Sequence, residues 1–187
     1  MIWWGKLMNL ANKITITRIL LIPLFLLFML VPFPNNNVFA VILFLLAAVT
    51  DSLDGHIARK RNEITNFGKF IDPLADKLLV TSALVCLVGN GKVPAVAAII
   101  IISRELVITG FRLLAVNEGK VIAASWWGKV KTVTQIMAIT ALILDNFPFQ
   151  YIGIPMDQIL LYASVVFTIF SGVDYIYKNR SVFHWNE

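Results

Sequence analysis

Residues 38–76 read VFAVILFLLAAVTDSLDGHIARKRNEITNFGKFIDPLAD. An apolar run meets Asp51, Asp54, Gly55, Ala58 and Arg59, a short basic stretch follows, and Gly68, Asp72 and Asp76 lead into a second apolar run. At about 100° per residue, Asp51, Asp54, Gly55 and Ala58 fall on one face of a helix continuing from 38–58. Gly68, Asp72 and Asp76 are spaced by four, so they form a ridge on the next helix, expected over 70–89. The loop between is short, which makes the two helices antiparallel neighbours and brings four carboxylates to one end of a bundle. One aspartate at a helix end simply reaches water. Four in this phase, flanked by two small residues, point to a cavity and a ligand, because ionisable groups in a membrane span cost roughly 2.5–3.5 kcal/mol each.

Composition makes that span reading necessary. Of 187 residues, 58% are apolar and 14% charged, and mean hydropathy is +0.78. Ordinary soluble domains carry about 45–50% apolar and about 25% charged residues. A soluble fold of this size could not cover its surface with so few polar side chains, so a secreted module, a disordered chain and an ordinary cytosolic domain are excluded. The chain reads as an all-α, polytopic membrane protein forming one domain over 1–187. Six spans are expected near 14–33, 38–58, 70–89, 93–115, 126–144 and 155–177, each close to the roughly 20 residues a bilayer needs. Met1 to Asn12, with Trp3, Trp4 and Lys6, suits a short interfacial helix. The first apolar run is too long for the core of a cleaved signal peptide.

Charge sets the expected orientation. The net charge is +5, with 16 Lys and Arg. Lys92 alone among them falls in the loops 34–37, 89–92 and 145–154. The positive-inside bias therefore puts both termini and the 59–69 loop in the cytoplasm. Excess basic charge here reports topology and anionic lipid rather than nucleic acid. Gly91 and Pro94 fit a tight turn on the opposite side. The single cysteine, Cys86, lies in an apolar run and reads as packing.

Four clustered carboxylates cannot all stay ionised without neutralising cations. Oxygen ligands without His or Cys select hard ions such as Mg²⁺ or Mn²⁺. Two such ions about 3.5–4 Å apart are a common device for displacement at phosphorus. Gly55 and Ala58 leave room beside the carboxylates for a flat ligand, and Arg59 offers a fork for phosphate oxygens.

The pattern Asp51-x₂-Asp54-Gly55-x₂-Ala58-Arg59-x₈-Gly68-x₃-Asp72-x₃-Asp76 resembles the signature of the CDP-alcohol phosphotransferase family at all eight positions. The resemblance implies six transmembrane helices, a homodimer, and transfer of a phosphatidyl group from a CDP-linked donor to an alcohol with release of CMP. It implies two metals on Asp51, Asp54, Asp72 and Asp76, with Asp76 as general base. It also implies a donor site of Asp51, Asp54, Gly55, Ala58, Arg59 and Gly68, with Thr15 beside it. Asn12-x₂-Thr15-x₂-Arg18, the run Ser103 to Arg112, and Gly128-Lys129-Val130-Lys131-Thr132-x₂-Gln135 resemble a bacterial branch of that family. In that branch the donor is CDP-diacylglycerol and the acceptor sn-glycerol 3-phosphate, which implies an enzyme of the bacterial plasma membrane. The sixth segment adds no motif.

The residues agree with a phosphorylated acceptor, which needs cations nearby. Candidates are Arg112, Arg104, Lys129 and Lys131. Glu105 and Arg112 are seven apart on one face, which predicts a charge network between them; a structural ion pair is the alternative for Arg104 and Glu105, and snorkelling to the interface the alternative for the lysines, Lys131 above all. Pro73 is expected in the first turn of the third helix. Asp145 and Asp157 read as solvated, and Asp174, beside Lys178, as a paired surface charge. A transporter would place acidic residues along a path through the bundle, whereas these gather at one rim. Phosphatidylglycerol, inositol phosphate or serine as acceptor would leave the same signature.

Overall fold

A computed structural model describes the backbone of residues 10–61, 66–117 and 125–180, with side chains described at 16–50, 75, 77–115 and 125–180. Among the described residues the regular structure is entirely helical, as expected. It comprises α1 (Leu10–Leu30), α2 (Asn36–Arg61), α3 (Asn66–Gly89), α4 (Ala95–Asn117), α5 (Trp126–Ile143), a 3₁₀ turn (Phe149–Ile152) and α6 (Met156–Lys178). Each expected apolar segment has its helix. The first three helices differ most from expectation, because apolar runs mark the greasy part of a helix while the hydrogen-bonded ladder continues into polar sequence. Thus α2 runs on through Asp51, Asp54 and Ala58 to Arg61, and α3 begins at Asn66. Pro73 is therefore not in a first turn but inside α3, a correction that follows directly from the earlier start. Of the expected N-terminal interfacial helix, Leu10 to Asn12 belong to α1, and the rest lies outside the described residues.

The chain divides into two compact units, one up to Leu87 and one from Val88. In the first, α1 packs on α2. Ile22, Phe25 and Met29 form the buried stripe of α1, and Ala40, Val41, Phe44 and Ala47 that of α2. Phe25 meets Phe44 with ring centroids 6.0 Å apart, while Phe28 contacts Phe33 and Phe39 at 5.0 and 5.4 Å around the turn. These offset and tilted pairs are the arrangements that ring quadrupoles favour. Along α3, Ala75, Leu79, Ala83 and Leu87 recur every four residues and are buried. Cys86 is buried and free, as its surroundings suggested.

In the second unit α6 packs on both α4 and α5. The turn before α4 uses Gly91 at φ +71, a backbone state open to glycine at little steric cost. The Pro94 carbonyl then accepts the first helical amides, Ala97 N–H and Ala98 N–H. Lys92 reaches the far end of α5: its Nζ lies 2.6 Å from Asp145 Oδ1 and donates to the Leu142 carbonyl at 3.2 Å. Asp145, expected to be merely solvated, is thus a half-exposed partner of Lys92. Gln158 Nε2 donates to the Lys92 carbonyl, and Asn146 bridges the Ile154 carbonyl and the Asp157 amide. These bonds tie the N-terminal ends of α4 and α6 to the C-terminal end of α5.

The sixth helix is inverted relative to a soluble helix. It buries Ser164, Thr168, Ser171 and Tyr175, while Tyr162, Val166, Ile169, Phe170, Val173 and Ile176 are exposed. Its inner hydroxyls close on backbone: Ser164 Oγ donates to the Leu161 carbonyl at 2.7 Å and Thr168 Oγ1 to the Ser164 carbonyl at 2.6 Å. Among the described residues, α6 alone is both long and apolar enough to cross a membrane, with a mean hydropathy of 1.8.

Candidate active site

The signature residues occupy two consecutive helices. Asp51, Asp54, Gly55, Ala58 and Arg59 lie on α2, and Gly68, Asp72 and Asp76 on α3. Both helices are unbroken through them, so the register that puts Asp51, Asp54, Gly55 and Ala58 on one face, and Gly68, Asp72 and Asp76 on one ridge, is realised by the backbone. Their side chains, and that of Thr15 on α1, lie outside the described residues.

The candidate acceptor residues are in the second unit, and two of them meet through Glu105: the Arg104 pairing was one the sequence offered, the Lys131 pairing was not. Glu105 of α4 is 7% exposed and Lys131 of α5 is 3% exposed. The Lys131 ammonium forms a close ion pair with Glu105 Oε1, and Arg104 Nη1 lies 3.6 Å from the same oxygen. Lys131 therefore does not snorkel to the interface; it is among the most buried polar residues described. Arg104 also donates through Nη2 to Ser171 Oγ of α6. Two cations share one carboxylate in a place nearly shut off from water.

Arg112 shares Glu105's side of α4 but not its ion pair. It is exposed, and its guanidinium carbon sits 5.6 Å from the centroid of the Tyr175 ring. The expected Glu105–Arg112 network is replaced by Glu105–Lys131–Arg104. Helix phase put Glu105 and Arg112 on one face, but α5 presents a lysine nearer than the two helical turns that separate Arg112 from Glu105. Arg104, Arg112 and Tyr175 lie close enough to act on one another electrostatically.

The first turn of α5 borders this cluster. Ser125 caps the helix, its Oγ accepting the Gly128 amide at 3.1 Å. A Cβ on Gly128 would lie 3.5 Å from Ser125 Oγ and 3.9 Å from Ser171 Oγ, ordinary contact distances that place the first turn of α5 beside the α6 serine. Lys129 is exposed on that first turn. One turn beyond Lys131, Gln135 is buried, and its Nε2 has no hydrogen-bond partner among the described residues. Arg104 Nε is likewise buried without one. A buried donor without an acceptor is costly. Here two such donors, on Arg104 and Gln135, border the Glu105–Lys131–Arg104 cluster. Asp174, expected as a paired surface charge, lies 2.7 Å from Lys178 Nζ. Ser171, Gly172 and Tyr175 were missed by sequence reasoning. Their signal was the row of small and polar residues at helical spacing along one side of an otherwise apolar segment.

The signature spacing on α2 and α3, together with a buried cation pair, defines a class, and comparison with known proteins agrees. Residues 8–170 match the CDP-alcohol phosphatidyltransferase family, and the chain belongs to it. Among its relatives is the CDP-diacylglycerol–glycerol-3-phosphate 3-phosphatidyltransferase of Bacillus subtilis strain 168, 48% identical over 91% of this chain and 95% of that protein. Proteins of the same name from Haemophilus influenzae and Rickettsia bellii are 38% and 34% identical, covering 90% and 94% of this chain and 91% and 97% of their own.

Proposed function

We propose that this chain transfers the phosphatidyl group of CDP-diacylglycerol to sn-glycerol 3-phosphate, giving phosphatidylglycerophosphate and CMP. Membership of the family and the names of relatives that align along nearly the whole chain support the chemistry. The observation that carries the choice of a phosphorylated acceptor is the buried Arg104–Glu105–Lys131 cluster, in which two cations share one carboxylate. A phosphorylated acceptor forms charge-assisted hydrogen bonds with such cations, which an uncharged hydroxyl does not.

The donor set Asp51, Asp54, Asp72 and Asp76 fits hard divalent ions, since it offers only oxygen. These residues would hold two Mg²⁺ or Mn²⁺ ions, which supply neutralisation of the donor diphosphate and of the CMP that leaves. Gly55, Ala58 and Gly68, lacking bulk, give the cytidine a flat bed, and Arg59 and Thr15 hold its phosphates. Asp76 takes the proton from the acceptor hydroxyl. That oxygen attacks the β-phosphorus, which bears diacylglycerol, and the bond from this phosphorus to the bridging oxygen breaks. Arg104, Arg112, Lys129 and Lys131 bind the acceptor's own phosphate and so orient its hydroxyl, an orientational contribution to rate.

We further read the chain as a bacterial plasma-membrane protein with six spans and both termini and the site on the cytoplasmic side. The inverted α6, with hydroxyls inside and large apolar side chains outside, supports a lipid solvent. Acyl chains of donor and product then stay in the bilayer while phosphates reach the rim. A homodimer in the membrane is part of this reading by family resemblance.

The test is a membrane assay with CDP-diacylglycerol and a panel of alcohols, following CMP release. Glycerol 3-phosphate is expected to give the product. Turnover with serine, inositol phosphate or phosphatidylglycerol in its place would overturn the acceptor assignment.

A further inference from the structure

The last turns of α6 carry Ser171, Gly172 and Tyr175, none of which belongs to the signature or to the cationic set. Each touches an arginine of α4. Ser171, fully buried, accepts a hydrogen bond from Arg104 Nη2. Gly172 lies against the stem of the same arginine: a Cβ there would sit 3.4 Å from Arg104 Cγ, at contact distance. Tyr175, 2% exposed, puts its ring under the Arg112 guanidinium at 5.6 Å. Ser171 and Tyr175 are one turn apart on one face of α6, and Arg104 and Arg112 lie on α4, which packs on it. One short stretch of α6 therefore fixes where both guanidinium groups lie.

We propose that Ser171-Gly172-x₂-Tyr175 is a positioning element that holds Arg104 and Arg112 as a two-pronged clamp for the phosphate of the acceptor. The inference rests on the acceptor reading above and extends it to a helix in which the sequence shows no motif. An arginine has several rotatable bonds and loses much entropy when it binds a ligand. A ring beneath one guanidinium and a hydroxyl on the other remove part of that cost before the phosphate arrives, which is how preorganisation raises affinity. Arg112 needs it most, because it is exposed and otherwise free to sweep through water. The cation–π contact leaves the guanidinium edge available, so Arg112 remains able to donate to an anion while it is held. Burial of the Tyr175 hydroxyl without a hydrogen-bond partner among the described residues makes the ring, rather than the hydroxyl, the group in contact with Arg112.

The test uses the full-length protein in membranes, with both Michaelis constants measured for Tyr175→Leu, Tyr175→Phe, Ser171→Ala, Arg112→Ala and the double variant Tyr175→Leu/Arg112→Ala. Tyr175→Leu should raise KM for glycerol 3-phosphate roughly 3–30-fold, the span that a cation–π contact commands. KM for CDP-diacylglycerol should stay within about twofold, inside the spread of a lost contact that does not touch the donor. Tyr175→Phe keeps the ring and should behave as wild type. Ser171→Ala should raise the acceptor KM severalfold on its own. The double variant should be no worse than Arg112→Ala, because the ring acts only through that arginine. An additive double variant, a Phe variant as poor as the Leu variant, or equal rises in both Michaelis constants would overturn the clamp while leaving the acceptor site standing. If Arg112→Ala itself left the acceptor KM unchanged, the acceptor reading would fall and the clamp with it.

Discussion

At the scale of single residues, Glu105 decides most. Its carboxylate is the shared partner of Lys131 and Arg104 in a site nearly closed to water. Removing one member of a buried ionic group leaves uncompensated charge, typically at a cost of about 3–5 kcal/mol. Glu105→Ala is therefore expected to lower thermal stability in detergent substantially, whereas Arg112→Ala, at an exposed position, should leave the melting temperature nearly unchanged. Equal melting temperatures for the two variants would show that Glu105 is not the keystone of the cluster. On the signature helices the expected division is between holding metal and moving a proton. Asp72→Asn should recover part of its activity in excess Mg²⁺ or Mn²⁺. Asp76→Asn should stay roughly 10²–10⁴-fold down, the usual contribution of general base catalysis. Rescue of both to the same degree would remove Asp76 from the role of base, and full turnover in excess chelator would remove the metals.

At the scale of elements, the start of α5 is the place where local rules and the site coincide. Ser125 is a conventional N-cap, and the turn it starts carries Gly128 and Lys129 and leads to Lys131. Replacing such a cap by alanine costs about 1 kcal/mol. Ser125→Ala should therefore lower the unfolding temperature modestly. Because the first turn of α5 also abuts Ser171, the same variant should raise KM for glycerol 3-phosphate more than KM for CDP-diacylglycerol. A change in stability with both Michaelis constants unmoved would confine the cap to folding. The contrast with α1 is instructive. Pro23 lies inside that helix and removes the amide that would serve the Ile19 carbonyl, yet the helix continues, because buried Ile22, Phe25 and Met29 hold it against α2.

For the molecule as a whole, the six-span reading makes a labelling prediction that the lone cysteine keeps simple. In a Cys86→Ala background, single cysteines placed at Asn36 or Gly91 should react with an impermeant thiol reagent added to intact cells. One placed at Glu63 should react only after the membrane is opened. Reaction at Glu63 from outside would invert the topology, and reaction at all three from outside would remove the membrane-embedded arrangement. The charge distribution argues for the first outcome, since among the 16 basic residues only Lys92 stands in the loops assigned to the outside. Lys92 is itself occupied there, paired with Asp145.

Much of this was written in the chain itself. Helix number and placement followed from the apolar runs, because a long apolar run satisfies its backbone most readily as a helix. The alignment of the signature residues followed from helical periodicity, which is local: residues four apart share a face whatever surrounds them. Helix starts were less legible at α1, α2 and α3, where hydrogen bonding continues into polar sequence and leaves Pro73 inside a helix rather than at its beginning. Only the tertiary structure decided the partners. Periodicity put Glu105 and Arg112 on one side of α4, but an ion pair forms with whichever cation a neighbouring helix brings closest, and that was Lys131 of α5. The same holds for Ser171, Gly172 and Tyr175, ordinary residues in an apolar helix that matter because α6 packs on α4 where Arg104 and Arg112 stand. A helix's own sequence fixes its faces; which side chain meets which across an interface depends on how the helices pack.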